Sequence, residues 1–275
     1  MSLFINTNVA SLSAQTNLAR TQSSLTKSFD RLSSGMRINT AADDAAGLAI
    51  SASMTSQIRS YTVAGRNTAD GSSMAQTADS ALGEMTGVVQ RMRDLAMEAS
   101  NGSLQSSDRS YIQTEFGQLQ SELTRIQASA KFNGQEVIAS ASSTVTFQVG
   151  TNNVSSDRIS VSFGGVALGT LTGTATKLSG AATNAQTALD TIDAALKTIS
   201  TARARFGAAV NRFETTQSNI ESASLNTAAA NSRIRDVDVA AETAAMSRNQ
   251  VLQQAGTAVL AQANQLPQIA LSLLK

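Results

Sequence analysis

Apolar residues recur along most of this chain in alternating steps of four and three. That spacing keeps side chains on one stripe of a helix and, when sustained, on the seam of a coiled coil. The stripe opens with Ile5, Val9 and Leu12 and resumes with Leu18, Leu25, Phe29, Leu32 and Met36. Ser33-Ser34-Gly35 reads as a break near the end of that run, and Thr40 to Asp44 supplies capping and first-turn carboxylate chemistry for a second helix. The spacing predicts that helix from about Asp43 to Ser100, with Ala78, Leu82, Met85, Val89, Met92, Ala96 and Ala99 on one stripe. At 1.5 Å per residue it would be roughly 80–90 Å long. Asn101-Gly102 stops it, and Ser106-Ser107-Asp108 starts another with Ile112, Phe116, Leu119, Leu123 and Ile126 as its seam. Two long helices with a short connection predict an antiparallel hairpin.

Beyond the turn signal Phe132-Asn133-Gly134 the period changes to two. Val145, Phe147 and Val149, then Ile159, Val161 and Phe163, predict the strands of a β-hairpin closed by Gly150 to Asp157. The Gly/Thr-rich piece from Gly164 to Gly180 reads as turn and surface loop. Helical period returns with Leu189, Ile192, Leu196, Ile199, Phe206, Val210, Phe213 and Ile220, and at the end Leu252, Val259, Leu266 and Leu273 recur every seven residues. The fold class expected is mainly α, a long antiparallel helical bundle or coiled coil with a small β-hairpin region.

Composition sharpens this picture. Aromatic residues make up 4% of the 275 residues, so helix-on-helix packing of Ala, Leu, Ile and Val suits the chain better than one spherical core. Lys+Arg 21 against Asp+Glu 20 leaves a net charge of +1, with no basic patch to suggest nucleic acid. No charged residue precedes Arg20, and none lies between Arg248 and Lys275. Alone, such tails read as disordered; among many copies, their seams could fold together in a crowded interior where charge is costly to bury. The first nine residues have neither the basic nor the apolar region of a cleaved secretory signal. Gln250, Gln253, Gln254, Gln262, Asn264, Gln265 and Gln268 make the uncharged tail a poor lipid-facing helix, so no membrane insertion is expected.

Candidate chemistry is sparse. The chain has no Cys and no His, which removes thiolate and imidazole nucleophiles, metal ligands and general bases. Asp43-Asp44 is the one adjacent carboxylate pair worth testing as a site, and its place at a helix start accounts for it as a cap. No cofactor, metal or catalytic residue is expected, and the chain is not read as an enzyme.

Several long stretches resemble the bacterial flagellins: Phe4-Ile5-Asn6-Thr7-Asn8, Arg31 to Asn39, Asp43 to Ile50, Phe132-Asn133-Gly134, and above all Met246 to Gly256 continuing through Ala261 to Gln265. The resemblance covers nearly the whole chain except about Ser140 to Gly180, and it points to a short form lacking large outer domains. It implies a structural subunit that self-assembles into a helical filament of many copies for motility. Export through the flagellar type III apparatus and an extracellular location on the bacterial flagellum follow from it. A hook–filament junction protein of the same superfamily is the alternative, and a secreted helical effector or enzyme a third reading. By resemblance, residues 1–42 and 235–275 form an inner coiled-coil domain, and 43–234 a helical bundle domain with a β-hairpin at about 132–175. Ile5, Val9, Leu12, Leu25, Phe29, Leu32, Leu252, Val259, Leu266 and Leu273 are the expected polymerisation seams. Implied partners are an export chaperone on the C-terminal helix, the filament cap and the hook-junction proteins. Gln90 to Leu95 resembles the segment that Toll-like receptor 5 recognises in many flagellins, which makes Arg91, Leu95 and Glu115 candidate receptor contacts. Arg235 departs from the family pattern, where many relatives carry an acidic residue after Ser-Arg-Ile.

Overall fold

A computed structural model describes residues 7–173 and 176–272, without the side chains of 266–272. In order, the elements are α1 (Val9–Ser34), α2 (Ala45–Ala99), α3 (Ser106–Ser129), β1 (Lys131–Phe132), β2 (Gln135–Glu136), β3 (Ser143–Gln148), β4 (Arg158–Phe163), α4 (Gly169–Thr172), α5 (Ala182–Arg235) and α6 (Val239–Ser272). Backbone contacts divide the chain into one unit drawn from Met1–Ser56 and Asn226–Lys275 and another from Gln57–Leu225, so both divisions fall inside the long helices α2 and α5 rather than in loops.

In the first unit α1 and α6 lie antiparallel against each other. Asn8 opens α1 by accepting from the Ser11 amide, and Gly35 closes it in the left-handed conformation that a residue without Cβ adopts at little cost. The chain then runs beside the start of α6: Arg37 and Val237 amides donate to the carbonyls of Arg235 and Gly35 at 2.7 and 3.1 Å. Asp44 accepts from the Gly47 amide at 2.9 Å, the N-cap geometry expected of it. Asp43 instead folds back onto the preceding turn, accepting from the amides of Asn39 and Thr40 and from the Thr40 hydroxyl.

The second unit holds the large core. Along α2, Ala78, Leu82, Met85, Val89, Met92, Ala96 and Ala99 are fully buried, as their spacing predicts. They meet Phe116 and Leu123 of α3 and Ile192, Ile199, Phe206 and Phe213 of α5 in one continuous cluster. Strands β3 and β4 pair antiparallel with Val145 opposite Val161 and Phe147 opposite Ile159. Phe147 meets Phe163 and Phe213 edge-on, at ring-centroid distances of 6.4 and 5.4 Å. Ion pairs fix register at the surface: Arg93 to Asp193 at 2.8 Å and Arg203 to Asp79 at 2.9 Å join α2 and α5.

One expectation needs correction. Most of the stretch from Gly164 to Gly180 is not surface loop, because Val166, Leu168, Leu171 and Leu178 are all buried. They show no period since they insert singly, as pegs. The backbone between them is satisfied by glutamines seven residues apart on α3. Gln113 accepts from the Leu178 amide, while Gln120 and Gln127 donate to the carbonyls of Leu171 and Val166 at 2.7 and 3.0 Å.

Candidate assembly surface

The face that α1 turns toward α6 mixes small and polar residues with three leucines. Ser11 and Ser28 are buried, and Ala14, Leu18, Thr21, Leu25 and Leu32 are half-buried. On α6 the matching face is Glu242, Met246, Asn249, Gln253, Gly256, Leu260 and Ala263, spaced four and three. Amide and hydroxyl groups bridge the pair: Asn8 Nδ2 donates to the Ala263 carbonyl and Ser11 Oγ to Asn264 Oδ1, both at 2.8 Å, and Gln253 donates to Gln22. A Cβ added at Gly256 would stand 3.4 Å from Leu18 Cδ1, so the helices approach closely there.

The intramolecular seam therefore takes only part of the apolar heptad of the sequence: Leu18, Leu25 and Leu32 lie on it, and Val9, Leu12 and Phe29 do not. Val9, Leu12 and Phe29 on α1 are 60% or more exposed, and on α6 Leu252 and Val259 are 50% and 59% exposed, with Val251 beyond them. Ile5 and Leu273 lie outside the described residues, as does the side chain of Leu266. Two faces thus coexist on each helix: one closes the pair within the chain, and the other presents large apolar side chains to whatever lies outside it. Such side chains are expensive to leave in water, about 1.5–3 kcal/mol each for a residue of the size of Leu or Phe.

Between the pair and the turn before α2, Arg31 stands 4.0 Å from Asp43 and 3.8 Å from Glu242, all three side chains at most about a third exposed. The Asp43 carboxyl is held below its ordinary value of 3.8, first by the Thr40 amide and hydroxyl, then by the Asn39 amide and the Arg31 charge. Arg235, the departure from the family pattern, acts through its backbone: its carbonyl accepts from Arg37. Its side chain makes no ion pair among the described residues.

The candidate receptor contacts lie in the second unit. Arg91 and Glu115 are paired with each other at 2.8 Å and both stay about half exposed, whereas Leu95 is 2% exposed and belongs to the core. Glu115 raises the Arg91 guanidinium further above its ordinary value. No group of three or more acidic residues suited to a metal occurs among the described residues, and no described helix is long and apolar enough to cross a membrane.

Comparison with known proteins fits this arrangement. The bacterial flagellin N-terminal helical region matches residues 5–143, and the bacterial flagellin C-terminal helical region matches 189–274. A flagellin of Halalkalibacterium halodurans is 43% identical over 99% of this chain and 100% of its own length. The flagellar filament 33 kDa core protein of Treponema phagedenis is 40% identical over the same shares. The crystal structure of Bacillus cereus flagellin is 31% identical, covering 60% of this chain and 94% of that one, with a TM-score of 0.49. With both helical regions matched and relatives aligned from end to end, the chain belongs to the bacterial flagellins.

Proposed function

We propose that the outward apolar faces of α1 and α6 are the surfaces through which copies of this chain polymerise. As a flagellin, the chain is a structural subunit of the extracellular flagellar filament, which many copies build by self-assembly for motility. The observation that carries the assignment of surfaces is the exposure of Val9, Leu12, Phe29, Leu252 and Val259 on helices whose mutual seam is made largely of small and polar residues. A pair stitched by Ser, Asn and Gln gains little from its own contact, so most of the stabilisation of these helices must come from burial against neighbours. The absence of charge before Arg20 and between Arg248 and Lys275 fits that burial, because no ion has to be desolvated when copies close around them.

The same reading makes 1–42 and 235–275 the inner coiled-coil domain and 43–234 the surrounding bundle. By their heptad spacing in the sequence alone, Ile5, Leu266 and Leu273 belong to the same polymerisation seams. Passage through the flagellar type III apparatus, a chaperone on the C-terminal helix, and contacts with the filament cap and hook-junction proteins complete the life cycle. The role is mechanical, without a reaction to catalyse. Alignment from end to end with a filament core protein favours the filament over a hook–filament junction role. Any contact with Toll-like receptor 5 uses the Arg91–Glu115 pair, with Leu95 beneath it holding α2 in place.

The test is Leu252→Gln combined with Val259→Gln in the full chain, mixed with filament seeds and followed by electron microscopy. Growth should be lost, while thermal unfolding of the core around Phe116 and Phe213 stays unchanged. Normal filaments from this variant would remove the assignment.

A further inference from the structure

We propose that α5 and the turn after β4 form a binding site for a free tetrahedral oxyanion, phosphate or sulfate. A concave pocket of about 270 Å³ is lined by Gly165, Lys197, Thr198, Thr201, Ala202 and Arg205. Both charged residues of that lining are cations, and no carboxylate lines it. Lys197, Thr201 and Arg205 follow one another at steps of four on α5, so the two cations stand about 12 Å apart along the axis with a hydroxyl between them. The exposed Lys197 side chain is long enough to swing toward Arg205 over a bound ion. The Thr198 and Thr201 hydroxyls of the same wall donate to the Ala194 and Lys197 carbonyls at 3.0 and 2.8 Å, so the protons offered to an anion are those of the two cations.

Arg205 is already positioned for such a ligand. Its Nη2 donates to the Gly164 carbonyl at 2.7 Å, and its guanidinium lies 5.2 Å from the centre of the Phe206 ring. These contacts fix the plane of the fork while using one of five donors. The Arg205 Nε is buried with no hydrogen-bond partner among the described residues, and neither Arg205 nor Lys197 makes an ion pair there. By contrast, Arg91, Arg93 and Arg203 each have a carboxylate within 2.9 Å, and Arg109 donates to the Ala99, Asn101 and Gly180 carbonyls. An orientated cation with donors to spare beside a second unpaired cation is what a multidentate oxyanion satisfies, since it offers several acceptors and two negative charges at once. Gly165 contributes by having no side chain. A Cβ there would come into contact with Arg205 Nη1 at 4.0 Å, so the glycine leaves that side of the fork uncovered.

Inorganic phosphate titrated into the full-length monomeric protein, with chloride exchanged to keep ionic strength constant, is followed by amide shifts in heteronuclear NMR. Saturable shifts confined to Gly165, Thr198, Thr201 and Arg205 are expected. Lys197→Gln, at an exposed position, should weaken the apparent affinity about fivefold, and Arg205→Lys, which keeps the charge but loses the fork, by a similar factor. Shifts that never saturate, that spread evenly over the basic residues of the surface, or that are unchanged in Lys197→Gln would overturn the site.

Discussion

Ser11 and Asn264, 253 positions apart in the chain, are joined by a hydrogen bond of 2.8 Å from Ser11 Oγ to Asn264 Oδ1. It lies one turn of helix from the bond between Asn8 and the Ala263 carbonyl, so polar groups join the two ends of the chain beside the half-buried Leu18, Leu25, Leu32 and Leu260. A pair closed this way has defined register and leaves Val9, Leu12, Phe29, Leu252 and Val259 exposed.

Removing this clasp should therefore loosen the pair without touching the large core. Asn8→Ala with Ser11→Ala is expected to cost about 1 kcal/mol per lost hydrogen bond. Hydrogen exchange should report it as faster opening of the first turns of α1, with the amides of α3 unaffected. Unaltered exchange in α1 would mean that the bonds contribute nothing in solution.

Gly71 tests the fit of α2 to the β-hairpin. A Cβ there would meet Phe213 Cζ at 2.6 Å and Phe147 Cδ1 at 3.2 Å, and both rings are packed against other core residues. Gly71→Ala should destabilise the monomer by about 1–3 kcal/mol through overpacking. At Gly83, also within α2, nothing lies within 4 Å of the added methyl. Gly83→Ala should accordingly stabilise by about 0.5–1 kcal/mol through helix propensity. Equal shifts of melting temperature in the two variants would contradict this contrast.

The glutamines of α3 offer a third test. Gln120 donates to the Leu171 carbonyl from a half-buried position. Gln120→Leu would keep the bulk and remove the donor, leaving that carbonyl without its main partner at a cost of about 1–3 kcal/mol. Limited proteolysis between Gly164 and Gly180 should accelerate while the helices remain intact. If cleavage there is no faster than in the parent, the strap is held by Leu168, Leu171 and Leu178 alone.

Acid should act first on the turn before α2. The folded-state value of Asp43 is depressed below 3.8, so its contribution is present at pH values above the unfolded carboxylate and is lost as pH falls through the folded value. Protection of the 36–44 amides should thus decline below about pH 4, and Asp43→Asn should remove that dependence while lowering protection at neutral pH. A turn equally protected at pH 3 and pH 6 in the parent chain would show that the carboxylate plays no such part.

Much of the architecture was written in local pattern. The stripe from Ala78 to Ala99, the seam centred on Phe116 and Leu123, and the alternation of Ile159, Val161 and Phe163 each correspond to buried faces. Periodicity reports burial directly, and these elements are buried within one chain along a single face. The family was legible too, because the matching stretches are long and lie at both ends. The strap from Gly164 to Gly180 was not, since single pegs such as Leu171 and Leu178 carry no period and their backbone partners, Gln113, Gln120 and Gln127, look from sequence like solvated residues of a helix surface.

Sequence by itself determined that α1 and α6 are helices, that they bear apolar stripes, and that they carry no charge where copies would crowd. It could not decide which face of each helix meets the other. The apolar stripe and the small polar stripe lie side by side at the same heptad spacing, and both are compatible with a paired helix. The tertiary structure chose the face on which Asn8, Ser11, Gln22, Gln253 and Asn264 exchange hydrogen bonds and Leu18, Leu25 and Leu32 are half-buried. Val9, Phe29, Leu252 and Val259 are left exposed by that choice, and these are the side chains we propose to be covered by further copies.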